Sequence, residues 1–269
     1  MKGLKGKKVL VTGGSSGIGQ AIAIKFAEYG ADVAINFFSN RAEAEMTEDA
    51  IVFCRNQVQQ HDVKDILVQA DVSKEEDVDR MFKTVLDEWG TLDILVNNAG
   101  IQIPVDSHEM TAAQFDRVLN TNLRGSFLCA QRAIQTFLAQ HKPGSIVNIS
   151  SVHQVIPKPR FLGYSVSKGG MQNLTHTLAL EYAGRGIRVN SVGPGATVTP
   201  INRAWIDDPE KRAMVEAHIP MGRAGTSDEM AETVAFLASD LGGYITGQTI
   251  FVDGGLTLYP DFRTAWSSE

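Results

Sequence analysis

The sequence predicts an α/β protein: one doubly wound domain whose seven-stranded, mostly parallel sheet carries helices on both faces. Three observations point there. Short apolar runs of strand length recur along the chain, as expected for strands buried on both sides. Helix-length segments separate them, which is the alternation of a parallel sheet. Glycine-rich or polar stretches follow directly on several of the runs, at the carboxyl edge where such sheets bind ligands.

The elements follow in order. Val9-Leu10-Val11 is the first strand and leads into a glycine-rich turn, Thr12 to Gly19. Ile18, Ile22 and Phe26 then recur at four-residue spacing, and Gly30 closes a helix. Asp32 to Phe37 is the second strand. About Asn40 to Gln60 reads as a polar helix of ragged period, and Asp65 to Ala70 as the third strand. Ser73, with Glu76 three residues on, predicts a capping box for a helix reaching Trp89-Gly90. Asp93 to Val96 is the fourth strand, ending at Asn97-Asn98-Ala99-Gly100. Thr111 with Gln114 predicts a second capping box, opening one long helix that runs to about Gln140. Lys142-Pro143-Gly144 turns the chain into the fifth strand, Ser145 to Ile149. A helix containing Tyr164 follows and ends near Gly184, and Ile187 to Val192 is the sixth strand. About Thr199 to Arg223 reads as an irregular, proline-bearing lid. Ser227 is expected to cap the next helix, and Gln248 to Asp253 is the seventh strand.

The chain has 269 residues, 43% hydrophobic and 21% charged, which suits a single globular domain over 1–269 with a large core. A formal charge of −6, from 25 basic and 31 acidic residues, gives no footprint for nucleic acid. The two cysteines, Cys54 and Cys129, have no metal-site spacing and read as reduced thiols. The basic start is followed by only three apolar residues, too few for a signal peptide, and no run reaches a membrane span. A cytoplasmic protein is expected, with residues 1–145 binding a cofactor, 146–269 supplying catalysis and the substrate site, and a lid at 199–223.

Tyr164 and Lys168 lie four apart, which on a helix puts them on one face. A phenol titrates near ~10, and a neighbouring ammonium favours its ionised form, so the pair suits acid–base work on a carbonyl or alcohol oxygen. Ser151, upstream at a strand end, can hold that oxygen. The same pair also occurs on ordinary solvated helix faces, so its meaning depends on its surroundings. The first turn supplies them. Gly13, Gly17 and Gly19, with Ser15, Ser16 and Ile18, form a GxxxGxG strand–turn–helix of the Rossmann type, where backbone can approach a pyrophosphate.

This turn, Asn97 to Gly100, Asn122, Ser151, the YxxxK of Tyr164 and Lys168, and Pro194-Gly195 together resemble the short-chain dehydrogenase/reductase family over nearly the whole chain. The resemblance implies a catalytic set of Asn122, Ser151, Tyr164 and Lys168. It places Asp71 and Val72 at the adenine and Asn98, Ala99 and Gly100 along the adenosine ribose. Pro194, Gly195 and Thr199 would meet the nicotinamide carboxamide and the phosphates. Family members are usually tetramers, so a homotetramer pairing the long helices and last strand is expected, with Gly125, Ala130, Ala133, Gly169, Gly170 and Ala179 permitting close approach unless they serve the core.

Phe37 stands where NAD-specific members carry an acid for the ribose 2′-hydroxyl. Phe38 stands where an arginine often binds a 2′-phosphate, and the nearest cation is Arg41, with Ser39 and Asn40 able to bond either form. Dual use of NADP and NAD is expected, leaning to NADP.

Ser150 to Gly170, Pro200-Ile201-Asn202, His218 to Gly222 and the tail through Tyr259-Pro260 resemble the bacterial glucose 1-dehydrogenases, a branch of that family. That implies oxidation of an aldose at C1, with Gln102, Ser151, His153, Tyr164 and Asn202 meeting the sugar. Amide, imidazole and hydroxyl partners suit a pyranose. The resembled enzymes carry an acid where Gln102 stands. Blander readings stand beside these: His153 as a loop histidine, Asn202 as a helix cap, His218 as a structural histidine, and Trp205 and Met214 as lid packing. A ketoreductase of the same family is the rival function, and a non-catalytic cofactor-binding protein a remoter one.

Overall fold

The computed structural model describes residues 1–57 and 65–258. The strands are β1 (Lys8–Val11), β2 (Asp32–Phe37), β3 (Ile66–Gln69), β4 (Ile94–Asn97), β5 (Gly144–Ile149), β6 (Ile187–Pro194) and β7 (Thr249–Val252). They form one sheet in the order β3-β2-β1-β4-β5-β6-β7, every ladder parallel. The helices are α1 (Gly17–Glu28), α2 (Arg41–Gln57), α3 (Glu75–Trp89), α4 (Ala112–Leu119), α5 (Gly125–Ala139), α6 (Leu162–Tyr182), α7 (Arg203–Ile206), α8 (Pro209–Ala217) and α9 (Ser227–Ala238). The end expected for the second helix near Gln60, and the Tyr259-Pro260 part of the tail, lie outside the described residues.

Strand alternation divides the core in two. Val9, Val11, Val33, Ile35 and Val96 face α1 and α9, meeting Ile22, Phe26, Val234 and Leu237. Leu10, Ala34, Leu95 and Ile146 face α3 and α5, meeting Met81, Val85, Ala133 and Phe137. The strand order reverses between β1 and β4. A crevice opens at such a reversal, beyond the carboxyl ends. The turn after Val11 and the Asn98–Gly100 segment stand on either side of it.

Four expectations are corrected, and one choice that the sequence left open is narrowed. No Ser73–Glu76 box forms: α3 starts one residue later than a box on Ser73 requires, after Lys74 and with no side-chain cap, and the Ser73 hydroxyl donates to Asp71 at 2.7 Å. The first turn of α3 carries Glu75, Glu76 and Asp77, which suit its positive end without a cap. The Thr111–Gln114 box is present, but the long helix it opens is interrupted by a π turn, Asn120–Arg124, between α4 and α5. Such turns widen the backbone ladder by one residue and cluster at functional sites. The lid is not irregular throughout. Asp208 accepts the Glu210 and Lys211 N–H groups and Pro209 opens α8, a cap-and-proline start that the sequence carries. The cap of α9 is Thr226, not Ser227, with Glu229 completing the box. Finally, most of the small residues expected to ease subunit contact pack within the chain. Ala130, Ala133 and Ala179 are core, Gly125 lies against Val72 and Gly170 against Leu123, while a side chain at Gly169 would meet nothing.

The corrected cap gives a simple test. Thr226→Ala should cost about 1 kcal/mol in urea unfolding, the usual worth of an N-cap. Ser227→Ala should stay within about 0.5 kcal/mol, as a surface change does.

Candidate active site

The glycine turn is shaped by close approach. Gly13 and Gly17 have φ of 60° and 56°, which residues with a Cβ rarely adopt. A Cβ on Gly19 would lie 2.1 Å from the Gly13 carbonyl oxygen, so only glycine lets α1 start this close beneath the turn. Ser16 caps α1 by position but makes no side-chain cap bond, and the first turn holds no acid. The positive end of α1 is thus left to an anion, as a pyrophosphate site requires. Ser15 and Ile18 flank this point, and the Ser15 carbonyl accepts Thr47 Oγ1 at 3.3 Å.

Side chains from β2 and the loop after β4 hold the turn. The Gly13 N–H donates to Asn36 Oδ1 at 3.2 Å, and Asn36 Nδ2 reaches the Val68 and Ala70 carbonyls. Asn98 Nδ2 donates to the Thr12 and Gly13 carbonyls, while the Asn98 and Ala99 N–H groups donate to Thr12 Oγ1. Asn98 and Ala99 therefore brace the turn, and Gly100 passes directly over the Asn122 side chain.

Asn122 sits in the π turn with 0% exposure. Its Oδ1 accepts the Ile101 N–H at 2.8 Å, and its Nδ2 donates to the Ile101 carbonyl and to Ser167 Oγ. Ser167 Oγ donates onward to the Tyr164 carbonyl at 2.7 Å. A second path begins at the Asn122 carbonyl, which accepts Ser126 Oγ. It continues from the Ser126 carbonyl to Asn97, then Asn148, then Thr175 on α6. The loop after β4, the π turn and α6 are thereby locked in one register.

On α6 that register points Tyr164 and Lys168 toward the end of β5. Lys168 is 4% exposed, donates from Nζ to the Ile149 carbonyl at 2.6 Å and stands 5.5 Å from the Tyr164 ring centre. Burial drives the two groups in opposite directions. It pushes the Tyr164 phenol above its ordinary value, opposed by a hydrogen bond with Ser151, and pulls Lys168 down to about 8. The expected depression of the phenol is therefore not found. Desolvation outweighs the Ser151 hydrogen bond that favours the ionised phenol, and the ammonium is the more acidic group.

Ser151 is 6% exposed and its Oγ also accepts the His153 N–H at 3.1 Å. His153 Nδ1 lies 3.0 Å from the Ile156 carbonyl, which can only accept, so Nδ1 carries the proton. Burial lowers the His153 pKa, which leaves a neutral ring with Nε2 as acceptor, edge-on to Tyr164 at 6.2 Å. Gln102 Nε2 donates to the Ile201 carbonyl at 3.2 Å, tying the lid's start to the loop after β4. Asn202 heads α7 without a side-chain cap. Its Nδ2 donates instead to the Thr197 carbonyl and Thr199 Oγ1, leaving Oδ1 without a partner among the described residues. His218 Nδ1 lies 2.7 Å from the Met214 carbonyl, the structural role expected of it. Met214 does not pack the lid and is 67% exposed, whereas Trp205 is half-buried.

Against known proteins, the family described as Enoyl-(Acyl carrier protein) reductase matches residues 13–257. A glucose 1-dehydrogenase of Gluconobacter oxydans is 49% identical, covering 98% of this chain and 96% of its own. A 3beta-hydroxysteroid dehydrogenase of Eggerthella lenta is 47% identical, covering 97% of each. The crystal structure of a short-chain type dehydrogenase/reductase from Mycobacterium marinum superposes with a TM-score of 0.87 at 33% identity, covering 96% of this chain and 98% of its own. The chain belongs to the short-chain dehydrogenase/reductase family.

Short-chain dehydrogenases bind NAD(P), and the turn described above fits a dinucleotide. At the carboxyl end of β2, where the sequence reading expects the adenosine of a cofactor, Phe37 is buried and Phe38 is 64% exposed. Ser39 is exposed, and Arg41 pairs with Glu45 at 2.8 Å. Asp71 accepts the Ser73 N–H and hydroxyl, and the Val72 side chain is buried, so Val72 can meet an adenine only through backbone. A cavity of about 420 Å³ bordered by Phe38, Gln69 and Asp71 lies at this end. At the other end, Pro194 closes β6. The backbone of Gly195 passes so near Asp253 that a Cβ would stand 2.7 Å from its Cα, and Thr199 is 8% exposed.

Sequence reasoning missed Thr12, Asn36, Ser126 and Ser167. Their signal was present as single polar residues within apolar runs or helices that bury them, positions that demand a hydrogen-bond partner.

Lys168 carries a stability cost that can be measured. The folded protein sheds its proton near pH 8 and the unfolded chain near 10.5, so between these the unfolded state binds more protons and stability rises with pH. Relative to Lys168→Met, the wild type should gain about 3 kcal/mol from pH 8 to 10.5 in urea unfolding. A constant difference would contradict the burial argument.

Proposed function

We propose that the protein is an NAD(P)-dependent dehydrogenase that oxidises an aldose, with β-D-glucose as first candidate, at C1 to the lactone. The grouping of half-buried Tyr164 with buried Lys168 and Ser151 supports the reaction class. For the sugar, the support is the 49% identity with a glucose 1-dehydrogenase and a rim of polar groups, His153 Nε2 among them.

The bound dinucleotide supplies the hydride acceptor. Tyr164 takes the proton from the anomeric hydroxyl, and Ser151 Oγ holds the same oxygen. Lys168 determines when this works. Tyr164 and Lys168 share one buried site, and their protons leave in steps that belong to the pair. The first proton to leave is the ammonium's, near pH 8. Once it is gone, the phenol can receive the alcohol's proton while passing its own toward the amine. Asn122 acts by position: its clamp on Ile101 and Ser167 fixes α6 against the loop.

A ketoreductase acting on a bulkier carbonyl is the second reading. It is favoured by the 47% identity with a hydroxysteroid dehydrogenase and by exposed Val155, Ile201, Met214 and Met221 around the lid. Assembly as a homotetramer is part of the proposal, supported by strongly exposed Leu180 and Tyr244 and by β7 at the sheet edge. Dual cofactor use leaning to NADP is also proposed. The Arg41–Glu45 pair is an exposed one, worth about 0–1 kcal/mol, which a 2′-phosphate can displace.

Formation of reduced cofactor with glucose, other aldoses and a ketone panel tests the function. Turnover of aldoses is expected, and reduction confined to ketones would move the protein to the second reading. Tyr164→Phe should lower turnover by about 10²–10⁴-fold while leaving dinucleotide binding intact. Oxidation should rise with pH through about 8 and carbonyl reduction should fall, and Lys168→Met should move both limbs upward. Arg41→Ala should lower the NADP-to-NAD ratio of kcat/KM; an unchanged ratio would remove Arg41 from cofactor choice.

A further inference from the structure

The connection from β5 to α6 carries a segment that the reaction does not use, Pro157-Lys158-Pro159-Arg160. Proline on each side restricts the backbone around Lys158. Arg160 takes a left-handed φ of 68°, a conformation that a residue with a Cβ adopts only when its surroundings hold it there. Two contacts do so. Its carbonyl accepts the Val105 N–H at 3.0 Å, and its guanidinium pairs with Asp106 at 3.3 Å. On the other side of the segment, the His153 ring is bonded to the Ile156 carbonyl. Lys158 thus sits on a stretch anchored at both ends.

Its ammonium lies 4.0 Å from the centre of the Phe161 ring. Phe161 stands edge-on to Tyr164 with centroids 6.3 Å apart, and 6.3 Å from the His153 ring. One aromatic ring therefore separates the Lys158 charge from the phenol that takes the substrate proton. No ion pair to Lys158 forms among the described residues, and Asp106, which meets this segment, pairs with Arg160. Although the residue is exposed overall, packing of its ammonium end lowers its pKa. A ring face attracts a cation, but it leaves N–H directions unfilled. An ammonium anchored beside the reacting centre without an anion is a group waiting for one.

We propose that Lys158 is a specificity-determining residue that receives an anionic group, phosphate or carboxylate, at the end of the substrate remote from the reacting carbon. This rests on the aldose reading and deepens it: the preferred substrate is an aldose phosphate or a uronic acid rather than the free sugar. A lysine is a point charge and accepts either anion, and charge-assisted hydrogen bonds are about twice as strong as neutral ones. In a chain of net charge −6, a local cation is also what lets an anion approach.

The test compares kcat/KM for D-glucose, D-glucose 6-phosphate and D-glucuronate in wild type, Lys158→Gln and Lys158→Arg at low ionic strength. The wild type should favour at least one anionic aldose, and which one identifies the anion. Lys158→Gln should lower the anionic-to-neutral ratio about ten-fold, and Lys158→Arg should keep most of it. An equal ratio in wild type and Lys158→Gln overturns the proposal. If no aldose is turned over, the aldose reading fails, and the role of Lys158 is read from inhibition of ketone reduction by gluconate against neutral sorbitol. Stronger inhibition by gluconate that weakens about ten-fold in Lys158→Gln upholds it, and equal inhibition constants in the two proteins overturn it.

Discussion

Asn122, fully buried in the π turn between α4 and α5, makes three side-chain hydrogen bonds, and the catalytic geometry depends on them. Each buried amide group left without its partner would cost about 1–3 kcal/mol, so the register between the loop after β4 and α6 is tightly held. The π turn is what brings this amide inward. Ser126 Oγ, one turn on, donates back to the Asn122 carbonyl. The same amide chain continues through Asn97 and Asn148 to Thr175, joining two strands to α6. It is not completely satisfied, since Asn97 Oδ1 has no partner among the described residues. A polar core of this kind contributes specificity of arrangement more than net stability.

That rigid frame holds two groups whose burial is unfavourable. Desolvation raises the Tyr164 phenol and lowers the Lys168 ammonium, so the site favours the neutral form of both. The result is a lysine brought down to about 8 beside a phenol held above its ordinary value, a perturbation made by burial rather than by a stabilised phenolate. His153 fits the same pattern, held neutral by burial with its tautomer set by Ile156. Acid–base capacity here comes from removing water around a fixed hydrogen-bond frame.

Much of this was legible in the sequence. The seven strands and their parallel pairing follow from apolar runs and alternation, and the glycine turn from its strand–turn–helix setting, whereas the order of the strands does not. The Thr111–Gln114 cap was readable because both partners are local. The π turn was not: nothing in the run Asn120-Thr121-Asn122-Leu123-Arg124 sets it apart from an ordinary helical turn. Ser73 failed as a cap for a different reason: the helix begins one residue later, with Lys74 at the cap position and three acids in its first turn. The sign of the Tyr164 shift was also beyond the sequence, since spacing reports the neighbour's charge and not the depth at which both groups lie. Gln102 and Asn202 were singled out for a sugar; Gln102 commits one amide N–H to the Ile201 carbonyl, and Asn202 commits its amide nitrogen to Thr197 and Thr199, leaving its oxygen as its remaining polar atom.

The central claim, that Tyr164 and its buried partners take a proton from an anomeric hydroxyl while C1 gives up hydride, is tested most directly by isotope transfer. D-Glucose deuterated at C1 would be incubated with the protein and oxidised cofactor, and the reduced cofactor examined by mass spectrometry. The account predicts that the reduced cofactor carries the deuterium and that turnover is slower than with unlabelled sugar. Reduced cofactor without the label, formed while the sugar is consumed, would place the chemistry at another carbon and contradict it.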